Sequence, residues 1–94
     1  MNFHEKCEIA RVMTGCNEAD KKIIEGVSSM NVLVKEEASK MVDILLKRDN
    51  NPFDKAFPLM KNDFMKIANK YEINTASLFW VYMEWQVRNK NEGE

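Results

Sequence analysis

Thr75 to Arg88 reads T-A-S-L-F-W-V-Y-M-E-W-Q-V-R and holds both tryptophans of the chain. On a helix turning about 100° per residue, Ser77, Glu84 and Arg88 share one narrow polar stripe. Leu78, Tyr82 and Trp85 make one apolar face. Trp80, Met83 and Val87 make a second, with Phe79 between them. A helix that is apolar around so much of its circumference needs cover on more than one side. Two arrangements supply it. Either this is the central helix of a bundle, wrapped by the preceding ones, or one face is left over for a partner. Both give the same fold class: all-α, a compact bundle of four to five helices in which residues 1–88 form one domain. Residues 89–94 are expected to fray into a mobile tail.

The elements leading up to this helix follow from local signals. Glu72-Ile73-Asn74 reads as a short turn, with Thr75 as the cap of the aromatic helix. Before it, Pro58 suits the first turn of a helix running to about Tyr71, with Leu59, Phe64, Ile67, Ala68 and Tyr71 inward. Phe53 to Phe57 fit a single turn, and Arg48-Asp49-Asn50-Asn51-Pro52 fits a loop. From Glu18 to Lys47, apolar residues step by three or four: Ile23, Val27, Met30, Val34, Ala38, Met41 and Leu45. That stepping fits one long helix or two, and Gly26, Ser28, Ser29 and Asn31 favour a break near 28–31. At the N-terminal end, Phe3, Cys7, Ala10 and Met13 form a helical stripe over Phe3 to Thr14, with Ile9 beside it. Gly15 is the natural stop, and Asn17 a candidate cap for the next helix with Asp20 three residues on.

The totals narrow the class. Ninety-four residues fit one domain, and 45% hydrophobic with 31% charged residues is an ordinary globular balance. Two prolines and three glycines leave little for the turns of an all-β fold. The net charge is −1, with acids and bases matched in every third of the chain, so no segment carries the basic excess of a nucleic-acid footprint. The longest apolar run, Leu78 to Met83, is too short to span a bilayer. The first twelve residues have the charges of a soluble chain and not the apolar core of a signal peptide. A cytoplasmic setting is expected, with Cys7 and Cys16 as thiols.

Residues 64–83 resemble the helix-turn-helix pattern. Ala68 sits where that family packs a small residue between its helices, and Ile67, Tyr71, Ile73, Leu78 and Val81 match its buried positions. The match covers about a fifth of the chain and departs from the family twice. Glu72 stands where the turn favours Gly. The positions that would face DNA hold Asn74, Thr75, Ala76, Phe79, Trp80 and Met83, of which only Asn74 and Thr75 suit base or phosphate contact. Lys61, Lys66 and Lys70 on the preceding helix are the candidate phosphate contacts. The resemblance implies a DNA-binding regulator; the missing charge implies a similar shape turned to protein binding or dimerisation.

Other constellations are thinner. His4, Cys7 and Cys16 lack the paired spacing and fourth ligand of a zinc site, and Cys7 lies on an apolar stripe. His4 and Cys16 sit about 18 Å apart along one helix, too far to act as base and nucleophile. Glu36-Glu37 and Asp49-Asp54 fit a solvated face interleaved with lysines. Of the seven methionines, Met13, Met30, Met41 and Met65 fall at core spacing, whereas Met83 flanks Trp80. No catalytic residue, metal, cofactor or small-molecule substrate is expected. The leading reading is a small non-enzymatic interaction protein: an adaptor, regulator or inhibitor of phage or bacterial type. It would bind a protein partner or a second copy of itself through Phe79, Trp80, Met83 and Val87. On that reading Trp80→Ala weakens association and leaves the helices intact. The second reading is the helix-turn-helix regulator, using Lys61, Lys66, Lys70, Asn74 and Thr75.

Overall fold

The described residues fold into five helices. The computed structural model describes residues 2–49 and 53–92, with side chains over 2–47 and 61–88. The first helix, α1, runs Phe3–Thr14. Asn2 caps it, its Oδ1 accepting from the Glu5 N–H at 2.8 Å while its Nδ2 reaches the Glu5 carboxylate at 3.3 Å. Gly15 ends it in the left-handed region at φ 70°, its N–H returning to the Arg11 carbonyl at 2.8 Å.

The second helix, α2, runs Asp20–Ser28 and starts later than the Asn17 signal predicts; Ala19 precedes it with no side-chain cap. The intervening segment is fixed from α1 instead. Arg11 Nε donates to the Glu18 carbonyl at 2.8 Å, its guanidinium pairs with Asp20, and His4 Nδ1 lies 2.8 Å from the same carboxylate. Asp20 thus anchors the start of α2 to α1, where its negative charge also suits a helix N-terminus.

The break near 28–31 is present. Met30 N–H bonds back to Val27, and the Asn31 side chain caps α3 (Val32–Asp49) by accepting from Val34 N–H at 2.9 Å. Arg48 and Asp49, expected in a loop, continue α3; residues 50–52 of that loop lie outside the described residues. The fourth helix, α4, spans Phe53–Lys70 without interruption. Its start is five residues earlier than Pro58 suggests. The proline lies in the second turn, where it has no N–H to give the Asp54 carbonyl. Leu59, expected inward, lies outside the residues with described side chains.

Between α4 and the last helix the chain turns at Glu72, held at φ 57°. Ile73 N–H bonds to Ala68 and Glu72 N–H to Asn69, both at 3.1 Å, closing the end of α4. Asn74, and not Thr75, caps α5 (Thr75–Glu92), accepting from Ser77 N–H at 2.7 Å. The helical backbone of α5 extends to Glu92.

The aromatic helix α5 packs against each of the other four. From Ala76 to Tyr82 every residue is buried. Cys7 and Ala10 cover it from α1, Ile23 and Val27 from α2, Ala38 and Val42 from α3, and Phe64, Ile67 and Ala68 from α4. The Cα radius of gyration, 12.3 Å, is that of a folded chain of this length. No helix of the described residues is long and apolar enough to cross a membrane.

Candidate functional site

The four residues expected to bind a partner are divided by the fold. Phe79 and Trp80 are core, Trp80 being only 4% exposed. Phe3 lies near-parallel to the Trp80 ring at 6.1 Å, and Lys6 sets its ammonium 4.6 Å from the ring centroid while pairing with Glu84 at 2.8 Å. Met83 is half-buried and packs on the core; Val87, at 63% exposure, faces solvent. The polar stripe is divided as well. Ser77 is fully buried and donates to the Ile23 carbonyl at 2.8 Å, whereas Glu84 is half-buried and Arg88 exposed. Wrapping on all sides, one of the two arrangements open in the sequence, is what α5 adopts between Ala76 and Tyr82.

The same wrapping bears on the helix-turn-helix resemblance. The α4–turn–α5 shape is there, with Ala68, Ile67, Ile73, Leu78 and Val81 buried as the pattern requires and Tyr71 half-buried. A helix entering the major groove needs one side free, and α5 offers none from Ala76 to Tyr82. Asn74 is engaged as the cap, and Thr75 is half-buried beside it. Lys61 and Lys66 are exposed. Lys70 lies 3.5 Å from Glu37 and 5.4 Å from the Tyr71 ring centre.

The acidic pairs separate in the same way. Glu36 faces Lys40 at 3.7 Å. Glu37 accepts from the Tyr71 hydroxyl at 2.9 Å, which with Lys70 holds its carboxyl below the ordinary range. Burial first, then the hydrogen bond to Glu37 and its charge, push the Tyr71 phenol up to about 12. This is a clasp between α3 and α4, extended by a Tyr71 contact to Met41 sulfur at 3.6 Å. The side chains of Asp49 and Asp54 lie outside those described. Cys7 is buried, Cys16 half-buried, and both are thiols. Among the described residues no group of three His, Cys, Asp or Glu side chains converges as metal ligands.

What the sequence reading missed is on α1. The inward stripe of Cys7, Ala10 and Thr14 leaves the opposite side for Glu5, Glu8, Ile9 and Val12, with Met13 at the flank, half-buried and packed on the core. These follow i, i+3, i+4, i+7, i+8, a second helical stripe. They line a shallow, open cleft of about 380 Å³ with mostly apolar walls. Val12 is 77% exposed; Ile9 and Met13 stand at its sides. Reading Ile9 beside the inward stripe concealed this one; Met13, read in the inward stripe, does pack against the core. Leu33 and Ile44 on α3 and Met65 on α4 are further exposed apolar side chains, Met65 against the expectation of a core position. Comparison of the chain with protein-family models, with curated proteins and with solved structures gives no match.

Proposed function

We infer that the chain is a small non-enzymatic interaction module, an adaptor, regulator or inhibitor, that binds a protein partner or a second copy of itself. The observation that carries this reading is the uncovered apolar side chain on outer helix faces, with Val12 on α1 and Leu33 on α3 each 77% exposed. Leu33 and Ile44, both exposed, lie eleven residues apart on one side of α3, and exposed large apolar side chains that share a face are the raw material of protein interfaces. The aromatic residues of α5 support it from within, as a rigid core that holds the outer faces in register; of the expected contact residues, Val87 alone stands fully outside. The module belongs to a reducing, cytoplasmic setting on this reading, consistent with its two free thiols.

The test is affinity capture on the immobilised full chain, with a variant carrying Val12→Asp, Leu33→Asp and Ile44→Asp as the control, together with absolute mass by light scattering. The reading predicts either proteins enriched on the wild type over the variant, or a dimer that the variant dissolves. A monomer that enriches nothing over the variant would contradict it.

A further inference from the structure

The cleft on α1 has a charge order as well as an apolar wall. Glu5 and Glu8 lie at one end of the stripe, and Ile9, Val12 and Met13 at the other, over about 12 Å of helix. The cations of α1 do not balance these carboxylates. Lys6 is engaged with Glu84 and Trp80, Arg11 with Asp20 and the Glu18 carbonyl, and His4 with Asp20. Glu5 holds only the Asn2 amide that caps the helix, and Glu8 has no ion-pair partner among the described residues.

Resting on the interaction-module reading, we propose that this cleft docks an amphipathic helix of a different protein. The docking helix carries a stripe of large aliphatic side chains bounded at one end by Lys or Arg. Its aliphatic anchors lie against Ile9, Val12 and Met13, and its basic end meets Glu5 and Glu8. The charge order fixes the direction in which it lies. A second copy of this chain fits poorly on the same stripe. Side by side in parallel, two α1 helices bring Glu5 and Glu8 against their own equivalents. Antiparallel, they press those carboxylates onto Val12 and Met13, where desolvation is uncompensated.

Two synthetic helical peptides test this, with an identical leucine stripe and with lysines in one and glutamates in the other at the same end positions. Each is fluorescein-labelled and titrated with the full chain by anisotropy. The expected result is binding of the lysine peptide about tenfold tighter than the glutamate peptide. Glu8→Lys, which leaves the Asn2–Glu5 cap in place, should remove most of that preference, and Val12→Asp should abolish binding of both. Val12 is exposed, so Val12→Asp leaves the core untouched. Equal affinity for the two peptides, binding of neither, or binding that survives Val12→Asp would overturn the proposal. So would a dimer that Val12→Asp dissolves, because the cleft would then belong to a second copy. If capture of a partner by the full chain persists in Val12→Asp alone but is lost in the triple variant, the interaction reading stands and the cleft on α1 is not its site.

Discussion

Gly26 and Ser77 show how a single position sets the approach of two helices. A Cβ added to Gly26 would stand 2.4 Å from Ser77 Oγ and 2.9 Å from Ser77 Cβ. Ser77 cannot rotate away cheaply, because its hydroxyl is buried and bonded to the Ile23 carbonyl in the same helix as Gly26. On helix propensity alone Gly26→Ala would stabilise by about 1 kcal/mol. The close packing reverses that sign. Gly26→Ala is expected to destabilise the fold by roughly 1–3 kcal/mol, read from the urea midpoint. The sequence hid this: Gly26 looked like part of a helix break, and nothing local names Ser77, far along the chain, as its neighbour. Glu72 was more legible. The resemblance marks its position as one that favours glycine, and its φ of 57° is the conformation glycine adopts most easily.

At the scale of elements, α3 and α4 are joined by a clasp that titrates. Burial and the Glu37 charge raise the folded-state Tyr71 phenol from 10 to about 12. Its contribution is therefore complete below pH 10 and is lost as pH rises towards 12, because the unfolded chain gives up its proton first. Glu37 has the opposite sign: its carboxyl is depressed, so its contribution holds above the ordinary carboxylate range and is lost as pH falls through its folded value. Tyr71→Phe should flatten the fall in thermal midpoint between pH 10 and 12. A variant with the same alkaline slope as the wild type would count against the clasp. Element existence was legible wherever the signal was strong. Gly15, the break near 28–31 and the turn at Glu72 all stand close to where the sequence puts them. Two boundaries fell away from their local signals. Asn17 is a good capping residue in isolation, but Arg11 and His4 hold Asp20, and α2 starts there. Pro58 is a good first-turn residue, yet α4 already runs from Phe53.

At the scale of the whole molecule, the composition of α5 decides the architecture. A helix apolar on all sides becomes the axis of the bundle, and the four others give it their apolar faces. The all-α class was readable from the helical stepping along the whole chain, and Thr75–Arg88 marked the helix at its centre. Which face of that helix points inward was not, because the sequence does not state how many neighbours cover it; from Ala76 to Tyr82 all faces are covered. The same geometry moves the search for a binding surface outward, to α1 and α3, where apolar side chains remain in water. Urea unfolding of Trp80→Ala tests this account most directly. If α5 is the axis, removing a side chain that is 4% exposed and packed by Phe3 and Lys6 costs about 3–5 kcal/mol of stability. A Trp80→Ala protein as stable as the wild type, with only its association weakened, would contradict it and return the aromatic face to the surface.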